Sequence, residues 1–332
     1  MIEAPYGHRQ HWKRKKYSRQ PDPIHILHVL TDEGIEGMCT VGGARYTPIR
    51  ARDIEHLRTL TPGKDPLQRE CLDSKLRAVM RHIFTLPGFH GVFENYLRDI
   101  AGKAAQLTIC DLIGRARPTW PVCYNFDSSR VKSALEDANK TVGMGSTALK
   151  NHWISTAEQN IFNARSIRQT FIDIPLPHDA ASASYKYEEA LFVGRALQDL
   201  RFEWFEEPIP DRNFEQLQAL RSALYISILA PETLTHEWEL SALWLRQGAI
   251  DLLRANARQV TTATLKLVHC ARMQDSTIEL NGPGGTRNDL SREICLMNSP
   301  LPTNGCVCPP RIPVWGAEWD RAYFEKTRIA LL

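Results

Sequence analysis

Three carboxylates close three successive apolar runs in this 332-residue chain. Ile174-Pro175-Leu176 leads into Pro177-His178-Asp179, Phe202-Glu203-Trp204-Phe205 into Glu206-Glu207-Pro208, and Ile226-Ser227-Ile228-Leu229 into Ala230-Pro231-Glu232. Asp179, Glu206 and Glu232 stand 27 and 26 positions apart. If each run is a strand of one parallel sheet, that spacing sets the acids at one height on neighbouring strands. Gathered carboxylates repel one another, and a hard divalent cation removes the conflict. Magnesium takes oxygen ligands, needs neither Cys nor His, and keeps positions open for water or substrate. A plainer role stays open, because an acid after a strand often caps or begins the next helix. Matched register on three strands favours the metal.

One run earlier stands Lys150-Asn151-His152. Residues i and i+2 of a strand share a face, so Lys150 and His152 would point the same way, toward the acids. A Lys or His beside a metal can exchange a proton with a carbon acid whose enolate the metal stabilises. The bland reading is a solvated strand end. His178 adjoins Asp179; it is a candidate for substrate contact, although alternation turns it to the opposite face, where a structural role serves equally well.

The elements that must position these residues follow a rhythm. After residue 120, strand-like runs begin near 122, 147, 174, 202, 226, 250 and 277, with amphipathic stretches between them. The clearest helix runs from Tyr187 to Leu200, with Tyr187, Leu191, Gly194 and Leu197 on one face. Seven βα units of about 25 residues read as a parallel (β/α) barrel, where chemistry sits at the C-terminal strand ends. An open α/β sheet is the structural alternative. The first 120 residues are mixed. A hairpin is expected from 24 to 42 around Thr31-Asp32-Glu33-Gly34, then helices from 50 to 112 broken at Pro62-Gly63 and Pro87-Gly88. Arg117-Pro118-Thr119-Trp120-Pro121 marks a boundary. His269 is expected to pack, and Gly282-Pro283-Gly284-Gly285 to be an ordinary turn, since no Lys-Ser/Thr follows it.

Composition narrows the function classes. Hydrophobic residues are 43% and charged residues 24%, which excludes a disordered chain, a collagen-like repeat and a coiled coil. With 41 Lys+Arg against 38 Asp+Glu, the net charge of +3 gives no basis for nucleic acid or an anionic membrane as partner. Lys13-Arg14-Lys15-Lys16 reads as a solvated basic turn. The eight Cys are scattered, and only Cys306-Val307-Cys308 is close-spaced, so a reduced, cytoplasmic protein is expected. No apolar run reaches the roughly 18 residues of a membrane span, and the N-terminus carries no signal-peptide core.

Tyr187 to Leu234, with the motif Trp204-Phe205-Glu206-Glu207-Pro208 followed by a strand ending in Glu232-Thr233, resembles the enolase superfamily, specifically its mandelate racemase/muconate lactonizing enzyme-like proteins. Thr31-Asp32-Glu33-Gly34-Ile35-Glu36-Gly37 and residues 99–118 are similar to the family's capping domain, and residues 312–329 to the segment that returns to it. The resemblance implies an α/β fold, a modified (β/α)7β TIM-type barrel under an α+β capping domain. It divides the chain into a cap over 1–118, joined by 311–332, and a barrel over 119–310. It implies magnesium held by Asp179, Glu206 and Glu232, with Lys150 and His152 as the catalytic pair. The shared step is abstraction of the proton α to a carboxylate to give a metal-stabilised enediolate. The implied substrate is a small carboxylate, an aldonate or aldarate, which a magnesium-dependent dehydratase (hydro-lyase) would convert to a 2-keto-3-deoxy acid. A homo-oligomer is expected.

Two departures bear on that activity. The family's Asp-His dyad would fall on Asn256 and Asn281, in Leu253-Arg254-Ala255-Asn256 and Glu279-Leu280-Asn281-Gly282. Asparagine can hydrogen-bond a substrate hydroxyl but carries no proton at neutral pH. Asn256 and Asn281 are therefore expected to bind substrate, and the acid that protonates departing hydroxide must be found elsewhere. The stretch from Asn281 to Pro310 leaves little room for an eighth strand. A racemase, epimerase or cycloisomerase on the same scaffold, and a catalytically impaired relative, remain the alternatives.

Overall fold

The computed structural model describes residues 26–40, 51–83, 89–121, 123–126, 131–143, 145–152, 155–180, 185–234, 237–256, 261–281, 304–308, 311 and 321–328. Residues 13–16 and 282–285, named above, lie outside these.

Strands β1 (Ile26–Leu30) and β2 (Glu36–Thr40) form an antiparallel hairpin in which Leu30 faces Glu36. Gly34 closes the turn at φ 78°, a backbone shape that favours a residue without Cβ. Three helices follow: α1 (Ala51–Leu60), α2 (Arg69–Ile83) and α3 (Phe89–Ala105). The first break falls at 61–68, as the Pro62-Gly63 pair predicts, and the second lies outside the described residues. Leu57, Leu72, Leu76, Tyr96, Leu97 and Ile100 bury one another with Cys39 of β2, a small core of their own. Gly37 lets β2 lie against α3. A Cβ there would sit 2.8 Å from both the Tyr96 carbonyl oxygen and Ile100 Cγ1.

A short helix α4 (Ile109–Leu112) and the two-residue strand β3 (Trp120–Pro121) lead to the second unit. Here strands and helices alternate: β4 (Tyr124–Phe126), α5 (Val131–Gly143), β5 (Leu149–His152), α6 (Ala157–Thr170), β6 (His178–Asp179) and α7 (Tyr187–Asp199). The alternation continues through β7 (Trp204–Glu206), α8 (Phe214–Ala223), β8 (Ser227–Ala230), α9 (Trp238–Arg246), β9 (Leu252–Asn256), α10 (Thr261–Met273) and β10 (Ile278–Asn281). Strands β4 to β10 form one parallel sheet in sequence order. Side chains from β5, β7 and β9 meet, as shown below, so the sheet curls, with helices covering its outer face. The fold is α/β, of the TIM-barrel type.

Most strands begin later than their apolar runs. Ile226 and Ile250 are buried before the ladder starts at Ser227 and Leu252. Hydrophobicity reports burial, and pairing begins one or two residues further on. The largest shift corrects the expectation for 174–176. That run is not a strand; the strand instead is His178–Asp179. Pro175 and Pro177 have no amide hydrogen to give. Their carbonyls still accept from Leu149 and Asn151.

The helices bury the outer face of the sheet. Val193, Leu197, Leu217, Leu220, Leu267 and Ala271 pack against Leu149, Phe205, Ile228 and Leu253. His269, expected to pack, is exposed on α10. Among the described residues the parallel sheet has seven strands, and 282–303 lie outside them. Beyond this gap β11 (Cys306–Val307) pairs antiparallel with β3. Helix α11 (Arg321–Thr327) returns to the first unit, where Arg321 Nη2 donates to Glu36 of β2.

Candidate active site

Strand parity decides which side chains enter the barrel. On β5, Leu149 and Asn151 face the helices while Lys150 and His152 face inward. Lys150 Nζ donates to Asp179 Oδ2 at 2.7 Å and to Glu206 Oε2 at 2.9 Å. His152 Nε2 stands 3.8 Å from Asp179 Oδ1, and its Nδ1 is buried without a hydrogen-bond partner. The register puts His152 beside Asp179 and Asp179 beside Glu206. The sequence-predicted Lys150, His152, Asp179 and Glu206 thus meet at the C-terminal ends of three adjacent strands.

Glu232 follows β8 and joins them through Arg254. The Nε of Arg254 lies 3.0 Å from Glu206 Oε1 and donates to Glu232 Oε2 at 3.4 Å. Neighbouring loops fix the approach of Glu232. Asp211 Oδ2 accepts from both the Thr233 amide, at 2.8 Å, and the Thr233 hydroxyl, at 2.5 Å. The Trp244 indole donates to the Asp211 carbonyl at 2.8 Å.

His178 is corrected as a substrate contact. It is fully buried on the outward face of β6, 2.5 Å from Asn151 Oδ1 and with its ring tilted against that of Phe205. Burial drives its imidazole down to about 3, so it is neutral and structural. Asn256 and Asn281 are register partners at the ends of β9 and β10; their side chains lie outside the described residues.

Two charged groups of this site, Arg254 and Glu279, carry no motif of their own, and Glu207 lies in the Trp204–Pro208 motif without a role assigned to it. Arg254 stands two residues before Asn256 and Glu279 two before Asn281, so parity within an otherwise apolar strand is their only signal. Arg254 and Glu279 are register partners.

Burial and charge compete here. Burial would lower the Lys150 ammonium, but Asp179 and Glu206 hold it above its ordinary value. Arg254 is raised likewise, against burial, by Glu206 and Glu232. Glu206 is raised by its burial and by Asp179, with Arg254 and Lys150 opposing. Burial first, and then the neighbouring carboxylates of Asp211 and Glu232, raise Glu207 well above its ordinary value.

The donor set suits a hard divalent cation, since the three acids are oxygen ligands. Glu206 Oε1 is buried and accepts no well-directed hydrogen bond, although the Arg254 guanidinium lies 3.0 Å away, so a cation could take this oxygen only in place of that contact. Among the described residues, however, no three acidic, His or Cys side chains already surround one point. The ammonium of Lys150 and the guanidinium of Arg254 stand between the acids.

Residues 133–321 match the family described as enolase C-terminal domain-like. An L-Lys-D/L-Arg epimerase of Methylococcus capsulatus is 23% identical over 63% of this chain and 60% of its own length. An arabinonate dehydratase of Saccharolobus solfataricus is 28% identical over 53% of this chain and 48% of its own. The chain thus spans about half to three fifths of these curated relatives. The crystal structure of D-glucarate dehydratase from Agrobacterium tumefaciens, complexed with magnesium, superposes with a TM-score of 0.82 at 22% identity, covering 92% of this chain and 90% of that one. With parallel strands delivering a Lys, a His and three acids to one end of the sheet, and a family match over more than half its length, the chain belongs to the enolase superfamily, among its mandelate racemase/muconate lactonizing enzyme-like proteins.

Proposed function

We propose that this protein removes the proton α to the carboxylate of a sugar acid, an aldonate or aldarate, and eliminates water to leave a 2-keto-3-deoxy acid. The observation that supports it best is His152, 26% exposed at the inward end of β5, beside Asp179 and with Lys150 on the same face. Asp179, Glu206 and Glu232 would hold magnesium, the family's cofactor. A bound divalent cation supplies positive charge against the substrate carboxylate and so acidifies its α-hydrogen.

His152 is the proton acceptor in this reading. Lys150, already donating hydrogen bonds to two carboxylates, holds its charge in place. The pair of electrons from the broken C–H bond forms the C–C double bond as the β-hydroxide departs. His152 returns the proton it took to that hydroxide, so the net loss is one water, and the enol rearranges to the 2-keto acid. One residue serves both proton transfers because the usual dyad positions are Asn256 and Asn281, which carry none. In the same reading residues 1–118, with 311–332, close over the barrel of 119–310.

Those two asparagines also favour a second reading, racemisation or epimerisation, which needs no acid for a leaving group. Incubation of the metal-loaded protein with aldonic and aldaric acids in heavy water separates the two. A 2-keto-3-deoxy product supports dehydration. Deuterium at Cα without loss of water supports epimerisation. Folded, magnesium-loaded protein that gives neither across the library overturns both, leaving a relative that binds without turnover.

A further inference from the structure

We propose that Arg254 is a tethered counter-cation of the acid cluster, standing where it competes with a divalent cation for Glu206 and Glu232. The inference rests on reading the three acids as metal ligands. Its own ground is geometric. Arg254 belongs to β9, is buried, and sends one Nε–H between Glu206 Oε1 at 3.0 Å and Glu232 Oε2 at 3.4 Å. Lys150 serves the other flank, joining Asp179 to Glu206.

Charge arithmetic over these five side chains gives the consequence. Three carboxylates against one ammonium and one guanidinium leave a net charge of −1. Without the guanidinium the cluster would stand at −2, which a divalent cation neutralises. With it, the same ion carries the cluster to +1. Arg254 therefore weakens the attraction for magnesium and keeps the acids together when no metal is bound. A cluster of bare acids would be expected to need metal to hold its shape; here Lys150 and Arg254 offer the acids a second set of partners. Glu279, the register partner of Arg254 on β10, is the neighbouring carboxyl beside which the guanidinium can settle once an ion takes Glu206 and Glu232.

Calorimetric titration of the full chain with magnesium alone tests this, with no substrate present. Arg254→Gln is expected to bind the ion roughly tenfold tighter or more than the wild type, and Arg254→Lys, which keeps the charge, no more than a few-fold tighter. Melting in EDTA and in excess magnesium gives a second readout. The wild type is expected to melt within about 2 °C in both, while Arg254→Gln falls in EDTA and recovers with the metal. Should Arg254→Gln not fold, the wild-type melt decides alone: a rise of about 5 °C or more at submillimolar magnesium overturns the inference. Equal affinity in wild type and Arg254→Gln also overturns it and leaves the acids as ligands. If neither folded protein binds magnesium, the metal reading itself falls.

Discussion

Thr262 gives both its backbone amide and its hydroxyl to the carboxylate of Glu94, a residue 168 positions earlier in the chain. The two bonds are 2.7 and 2.6 Å. Glu94 belongs to α3 of the first unit and Thr262 to the first turn of α10, so a remote carboxylate meets amide groups that have no partner inside their own helix. Arg98 completes the contact, 2.5 Å from Glu94 Oε1 and donating to the Thr262 hydroxyl at 2.7 Å. The hydroxyl of Thr261 gives a further bond to Asn95, at 2.6 Å. All five side chains are buried.

Breaking this latch should loosen the first unit from the barrel. Thr262→Val removes a hydroxyl that both donates and accepts, at a cost of about 1–3 kcal/mol. Glu94→Ala also strands the Arg98 guanidinium and should cost about 3–5 kcal/mol. Urea unfolding of both variants gives the order. A Glu94→Ala protein as stable as Thr262→Val would show the ion pair to be idle.

His152 has a narrower test. His152→Asn preserves polarity and approximate size but cannot carry a proton. Turnover, or exchange of the α-hydrogen with heavy water, should fall by about 10² to 10⁴-fold while the melting temperature stays near that of the wild type. Unchanged exchange would move the proton transfer to another group.

Lys150→Met leaves Asp179 and Glu206 facing each other with Arg254 on one side only. The loss should reach about 3–5 kcal/mol in EDTA, because two buried carboxylates lose their shared ammonium. Magnesium should restore part of it. Denaturant midpoints with and without the ion measure both numbers.

The contact between α11 and β2 depends on pH. The hydrogen bond from Arg321 holds the Glu36 carboxyl below its ordinary range. A carboxyl lowered in the folded state contributes stability that is present above its unfolded value and is lost as pH falls through the folded one. Melting temperatures taken from pH 7 down to pH 3 should fall less steeply for Glu36→Gln than for the wild type. Parallel curves would show that the contact adds nothing in solution.

Gly37→Ala tests the packing of the hairpin on α3. The added methyl would meet the Tyr96 carbonyl oxygen, which belongs to a helix backbone and cannot swing aside. A loss of about 1–3 kcal/mol is expected. Proteolysis at the hairpin, faster in the variant, locates the damage.

The barrel rhythm and the inward acids were legible in the sequence because both are local. An apolar run announces each strand, a carboxylate closes three of them, and alternation assigns Lys150 and His152 to one face. The same alternation already set His178 apart from Asp179, although neighbourhood in sequence suggested a shared role. Arg254 was hidden for the opposite reason. Its partners Glu206 and Glu232 lie on other strands, and nothing near residue 254 reveals that the sheet curls enough to bring them together. The Glu94–Thr262 latch carries still less signal, since each residue looks like an ordinary helix residue until the two units are docked. The apolar run at 174–176 precedes the true strand at 178–179 because Pro175 and Pro177 add apolar bulk while giving no amide to the ladder.

At the opposite end of the barrel, all three guanidinium nitrogens of Arg168 on α6 donate to main-chain oxygens. Its Nε donates to Leu200, its Nη1 to Phe171, Ile172 and Ile174, and its Nη2 to Arg201. Those carbonyls belong to the turns that enter β6 and β7, the strands that carry Asp179 and Glu206. Because they are backbone groups, they stay the same whatever side chains the turns bear. The two strands are therefore anchored by a wiring that is blind to sequence at one end and open to revision at the other. A lineage could exchange the reacting residues at the mouth, one at a time, without disturbing the foundation on which their aim depends.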